Sequence, residues 1–528
     1  MGEKVFYGGS ILTMSDKNAD AILIKNGKIK AVGTEDKVMS MASENAEKVD
    51  LKGKCLMPAF IDGHSHLTQF AQSLSASNLS QCKNFDDIIN TLNEFKKMNN
   101  IPEGEIIVGF GYDNNNLKEK VHPNKDLLDK YFPENPVVLS HVSGHIGVIN
   151  SIMLQKAGIN KNWTVPDGGT MGRGANGEPN GYLEENAFFT LRGFMPAPNM
   201  ENALKLLKKA QDIYLSYGIT TIQDGMLDEE SFGLLKAASD KNELICDVVG
   251  YGDMKKSPDL LHQNKEYTKG KYLNRLKLGG YKIFLDGSPQ GRTAWMQKPY
   301  LKTEQDKREN YCGYPIYTDK EVCEFTEKAM SENKQLIAHC NGDAAALQFI
   351  RAYKNHTDTR PVIIHGQFLP KEKLPEVKEK GLMPSYFVAH TYYWGDAHIE
   401  NMGMDRAKDI SPAESTAKLG IPFTFHQDTP VLLPDVIETI WCATNRVTKK
   451  GVNLAESEKI SVYEALKAVT INSAYEYFEE NEKGSLEEGK IADMIILSQN
   501  PLEVTEKDLK RIKVENTYKD GNMVFKRK

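Results

Sequence analysis

A chain of 528 residues, two-fifths of them apolar, has the means for a large buried core and is too long for one minimal domain, so a big body with at least one smaller unit is expected. A net charge of −6 without a long run of Lys and Arg excludes a protein that tracks a phosphate backbone, and no stretch of about 18 apolar residues is present to cross a membrane. Seven scattered cysteines without a C-x-x-C pair exclude a disulfide framework and a thiolate metal site, and with no apolar leader in the first residues a soluble cytoplasmic protein is expected.

The first segment alternates short β-type runs with turn signals, KVFYGGSILTM and then AILIKNGKIKAVG, which folds back at Asn26-Gly27. CLMPAFIDGHSH follows, the first of eight apolar runs that finish in polar residues. A long gap then holds the strand-like EIIVGFGYD and VVLSHVSGH, which predicts an inserted subdomain at about 75–200. The other seven runs are GITTIQDG, LICDVVGYG, LGGYKIFLDGS, QLIAHCNGD, PVIIHGQFL, LMPSYFVAH and IPFTFHQDTP, alternating with helical stretches. Eight such units predict an α/β fold, a TIM-type (β/α)8 barrel over residues 58–481, with the polar strand ends gathered on one catalytic face. SVYEALKAVTINSAYEYF, with Ser461 and Glu464 at capping-box spacing, reads as a helix closing the barrel. ADMIILSQNP and VENTYKDGNMVFKRK, turning at Asp520-Gly521, return to the opening β texture. The two ends predict one small β-sandwich domain from residues 1–57 and 482–528, the alternative being two unrelated edge hairpins.

His64 and His66 lie two apart at the end of the first run, where a strand would point both imidazoles at one cation. Alone, an H-x-H is weak evidence. It gains weight because His339, His365 and Asp428 end the fifth, sixth and eighth runs, so that five metal-type ligands meet on one rim. Lys282, inside the fourth run, is costly to bury as an ammonium. Either it is carbamylated, giving a carboxylate able to bridge two metal ions, or it pairs with Asp286 four residues on. Substrate-contact candidates are His145 in the inserted segment, His390 and Trp394 near Tyr393, Asp396 and His398 after the seventh run, His426 beside Asp428, and Arg292 after the fourth run. His390 leads them because it is expected to end its strand. For His145 the alternative is a ring satisfied within the insert; for His426 and Arg292 it is structural pairing. His122, His262 and His356 fit no pattern.

The order H-x-H, Lys, His, His, Asp resembles the amidohydrolase superfamily, and within it the YtcJ-like amidohydrolase family 3 branch that includes N-substituted formamide deformylase. PAFIDGHSH, SGHIGVINS, GYKIFLDGS with GRTA, HCNGDAA, HTYYWGDAH, FHQDTPV and GSLEEGKIADMIIL carry the resemblance over nearly the whole chain. One departure is the HQD before the eighth-strand position, where many relatives have Ser or Thr. The resemblance implies a divalent metal, zinc by ligand type, as one or two ions. His64, His66 and Asp428 would hold the deeper ion and His339 and His365 the outer one, with Lys282 bridging as N6-carboxylysine. It implies hydrolysis of a linear amide C–N bond of an N-acyl or N-formyl amine by an activated water, with Asp428 moving the proton to the leaving amine. Alternatives are a deaminase, against which the missing H-x-x-E after the fifth run counts, a cyclic amide or ester hydrolase, and a non-catalytic binding protein. A small-molecule substrate is implied; the family suggests a homodimer, for which the sequence itself carries no feature.

Overall fold

Asn26 and Gly27, and again Asp520 and Gly521, all take positive φ, between 49° and 79°, as two-residue hairpin turns require. Their strands belong to the sheets seen in a computed structural model of the chain, which describes residues 2–141, 143–195, 199–302 and 308–528. The first hairpin lies in a four-stranded sheet ordered Lys28–Gly33, Ala21–Lys25, Glu3–Tyr7, Glu47–Asp50. The second lies in a five-stranded sheet ordered Ser10–Ile11, Cys55–Pro58, Met494–Leu497, Val514–Lys519, Asn522–Lys526, so segments from both ends of the sequence are hydrogen-bonded side by side. Phe6, Ile22, Ile24, Leu56, Met494, Ile496 and Tyr518, drawn from both sheets, fill one buried cluster together with Leu486.

The run CLMPAFIDGHSH does not form one strand. Ala59 N–H donates to Asp493 O at 3.0 Å in the terminal sheet, and the next amide, Phe60 N–H, donates to Gly218 O at 2.9 Å in the barrel, so the chain changes sheets at this residue. The barrel strands are β1 (Phe60–Ile61), β2 (Ile219–Leu227), β3 (Asp247–Asp253), β4 (Leu276–Phe284), β5 (Gln335–Cys340), β6 (Val362–His365), β7 (Met383–Tyr386) and β8 (Thr424–Phe425). They pair in chain order and all parallel, the arrangement of a TIM-type barrel. The segments just past the two edge strands, β1 and β8, come together. A Cβ on Gly63 would lie 2.9 Å from Phe425 O, and His66 N–H donates to Thr429 O at 2.8 Å.

Two compact units account for the chain, one of residues 1–70 and 207–528, the other Ala71–Leu206. The second holds a six-stranded sheet ordered Gly169–Arg173, Pro179–Glu185, Ile146–Ile149, Val137–His141, Ile107–Tyr112, Ser77–Asn78. Asn84 caps its helix Phe85–Met98, whose Ile88 and Leu92 pack with Leu79, Ile107, Val137, Leu139 and Val148. Val142, in the stretch VVLSHVSGH, lies outside the described residues. Among the described residues no helix is long and apolar enough to cross a membrane.

Candidate metal centre

A parallel barrel turns the residues just past its strands toward one rim, and here they are imidazoles and a carboxylate. His64 and His66 sit beyond β1 rather than within it, so strand alternation does not align them; the amide bond of His66 to Thr429 and an isolated bridge to Asp224 do. Asp428 Oδ1 lies 3.6 Å from His64 Nε2 and 3.3 Å from His66 Nε2. One ligand atom from each of His64, His66 and Asp428 falls within 4.8 Å of the others. Asp428 Oδ1 and His66 Nδ1 are buried with no hydrogen-bond partner among the described residues, an arrangement native proteins rarely leave without reason.

His64 is oriented by a residue that sequence reasoning passed over. Gln223, within β2, donates through Nε2 to Gly63 O at 3.1 Å and to Tyr477 OH at 3.0 Å. Its Oε1 therefore faces His64 Nδ1, 2.5 Å away, so His64 carries its proton on Nδ1 and turns the Nε2 lone pair toward Asp428. Gly225 completes this cradle, because a Cβ there would lie 2.4 Å from His64 Cε1. Gln223 Nε2 also approaches Glu476, which accepts from Thr424 Oγ1 at 2.7 Å. Burial pushes the Glu476 carboxyl up to about 8. Gln223 ends an apolar run just as His64 does, so the same logic of polar strand ends would have found it; Glu476 ends a helix with no such signal.

On the opposite side, His365 Nε2 meets His339 Nδ1 at 2.9 Å, and His339 Nε2–H donates to Gly287 O at 3.1 Å, leaving Nδ1 turned inward. His365 Nε2 is 3.9 Å from Asp428 Oδ2. His426 joins His365 Nδ1 at 3.1 Å and Ser385 Oγ at 2.9 Å. Burial holds His339 down at about 4 and His426 at about 3, so both rings are neutral, the form in which an imidazole nitrogen binds a cation. His365 and Asp428 have φ of 71° and 55°, a left-handed conformation that non-glycine residues seldom adopt and that clusters at functional sites.

Lys282 on β4 is fully buried, and burial lowers its ammonium to about 7. Its Nζ is 3.2 Å from His64 Nε2. Asp286 takes backbone N–H groups of Asn341 at 2.9 Å, Gly342 at 2.7 Å and Trp295 at 3.0 Å, which commits both its oxygens to the loops after β4 and β5.

His390 does not end β7, as its sequence suggested. The strand stops at Tyr386, the chain turns, and His390 opens helix α1 (His390–Tyr393), followed by α2 (Gly395–Met402). His390 packs against Trp394 with ring centroids 4.5 Å apart and against Phe387 at 4.7 Å, and Phe387 in turn packs against His426 at 5.4 Å. Arg292 donates to Asn401 Oδ1 at 3.1 Å and Leu301 O at 2.6 Å, contacts of the kind that the structural-pairing alternative describes. His145 belongs to the second unit and is exposed, with Nδ1 2.9 Å from Glu185 Oε2.

An eight-stranded parallel barrel with imidazoles and a carboxylate gathered at its strand ends is the architecture of metal-dependent hydrolases. A solved structure of that description, an uncharacterized metal-dependent hydrolase from Pyrococcus horikoshii, is 26% identical and superposes with a TM-score of 0.75 over 96% of this chain and 99% of its own. The chain belongs to the amidohydrolase family, enzymes that hydrolyse carbon–nitrogen bonds, whose profile matches residues 47–525. It is 26% identical to YtcJ of Bacillus subtilis over 99% of each chain, and 26% identical to the N-substituted formamide deformylase of Arthrobacter pascens over 100% of this chain and 99% of the other.

Proposed function

We propose that this amidohydrolase cleaves the linear amide C–N bond of an N-acyl or N-formyl amine at a zinc centre held by His64, His66, His339, His365, Asp428 and a carbamylated Lys282. The observation that carries the reading is the approach of His64, His66 and Asp428 to within 4.8 Å, with a buried carboxylate oxygen that no hydrogen bond uses. The donor set of imidazoles and carboxylate suits zinc. When bound, such a cation lowers the pKa of water and polarises a carbonyl.

The remaining work falls to the chain. Asp428 takes the proton of the attacking water and hands it to the leaving nitrogen, which as an unprotonated amide anion would not depart. Its unused Oδ1 lone pair and its place between the two histidine pairs suit it to this shuttle. Lys282, lowered to about 7, holds enough neutral amine at physiological pH to add carbon dioxide with release of a proton to solvent, and the resulting carbamate would put an anion able to help hold the ions where a buried cation is costly. His390 and Trp394 face the substrate from α1 and its end, with His426 supporting His365. The similarity to a protein named as a formamide deformylase supports the small acyl group. The two terminal sheets are read as one composite β-sandwich domain of residues 1–57 and 482–528, supported by their common core.

Zinc-loaded protein should release amine from members of a panel of N-formyl and N-acetyl amines, scored by amine detection. Turnover confined to cyclic amides, esters or amino-substituted heterocycles would reject the linear-amide reading. Close to two ions per chain by plasma mass spectrometry is expected for the bridged centre.

A further inference from the structure

His390, read above as a substrate contact, is paired with His398, a residue to which the hydrolytic mechanism gives no part. His390 Nδ1 is 3.2 Å from His398 Nε2, and the ring planes differ by 1°. Their centroids are 5.4 Å apart, the length of that hydrogen bond plus a ring radius at each end, so the rings lie edge to edge in one plane rather than face to face. His398 is fully buried on α2 against Phe368, and its Nδ1 has no partner among the described residues. Burial keeps both rings neutral, so a single proton lies between them.

That proton has two possible owners. If His390 Nδ1 carried it, His398 would bear its own N–H on Nδ1, a buried donor with no acceptor, which native structures very rarely contain. If His398 Nε2 carries it, only a lone pair is stranded, and both rings take the Nε2–H form that free histidine prefers. We propose that His398 is a positioning residue, donating Nε2–H to His390 Nδ1 and thereby holding His390 as an Nε2–H donor beside the metal centre. His390 is then a hydrogen-bond donor to the reacting carbonyl oxygen and not a base, a role that rests on the amide reading above. The α1–α2 turn at Trp394 is what brings residues eight apart into one plane.

The tautomer is read without substrate by nitrogen NMR of zinc-loaded protein labelled with [15N]histidine, with His390 assigned by the signals lost in His390→Phe. The expected pattern is a pyridine-type Nδ1 and a pyrrole-type Nε2 for His390, scrambled in His398→Phe and restored in His398→Gln, whose amide still donates. A pyrrole-type Nδ1 in the wild type, an unchanged pattern in His398→Phe, or no restoration in His398→Gln would overturn the assignment. On an N-formyl amine that the wild type hydrolyses, His398→Phe should lower kcat by about 10- to 100-fold with KM nearly unchanged, and His398→Gln should recover it. A loss carried by KM alone would refute the donor role. Failure of the amide reading leaves the NMR result standing, so the two ideas fail separately.

Discussion

At Gly225 the space left for a side chain is already taken by the ring of His64. Gly225→Ala should therefore push that imidazole off Asp428 and weaken metal binding by about 10- to 100-fold in a chelator competition, while the melting temperature changes little. Asp428 makes a sharper case. Asp428→Asn keeps a residue that tolerates positive φ and removes a carboxylate whose buried Oδ1, though 3.3 Å from His66 Nε2, takes no hydrogen bond. We expect turnover to vanish and the metal-free protein to melt at or above the wild-type temperature; near-normal turnover would rule out proton transfer by Asp428. The chemistry-bearing side chains were legible as residue types at the ends of apolar runs. Their partners were not, because Gln223 and Glu476 meet 253 positions apart in the chain, a distance that only tertiary packing closes.

Elements tell a similar story of what periodicity can and cannot convey. Each of the eight runs contains a barrel strand, since apolar runs of that length between helices have few other ways to be buried on both faces. Two boundaries escaped. The first run serves two sheets, and hydropathy cannot register a change of sheet at Ala59 because both environments are apolar. The seventh stops four residues before His390, since Phe387, Val388 and Ala389 are as apolar as the strand they follow. The closing helix was well marked only at its start: Ser461 Oγ accepts from Glu464 N–H at 3.2 Å at the head of α3 (Val462–Ala468), which packs on β8, but the stretch read as one helix breaks at Val469 and Thr470 and resumes as a second helix, Ile471–Glu476. Ser461→Ala should cost about 1 kcal/mol in urea unfolding.

Across the whole molecule, a buried charge network at the amino-terminal end of the barrel ties it to the terminal sheet. Asp247, the first residue of β3, accepts from Lys519 at 2.7 Å, from Arg275 at 3.1 Å and from Lys483, and Lys519 also reaches Asp493 at 2.7 Å. Asp247→Asn would take one of two counter-ions from each of Lys483 and Lys519, which keep Glu479 at 3.1 Å and Asp493, and should cost about 1.5–3 kcal/mol of stability by chemical denaturation. Lys483 and Lys519 hold the Asp247 carboxyl below its ordinary value despite its burial. A carboxyl lowered on folding contributes stability above its unfolded pKa of about 3.9, and that contribution fades as pH falls through the lower folded value. The gap between wild type and Asp247→Asn should thus be constant from neutrality to about pH 5 and narrow below pH 4. The same wiring sets an order for biosynthesis. The strand Cys55–Pro58, one residue ahead of β1, pairs with Met494–Leu497, so the segment that delivers His64 and His66 waits for a partner translated more than 400 residues later. At about 5–20 residues per second that wait is roughly 20–90 s. A ribosome-bound fragment that stops short of Met494 should hold its histidines without a formed centre, which makes activity an all-or-none property of the nascent chain.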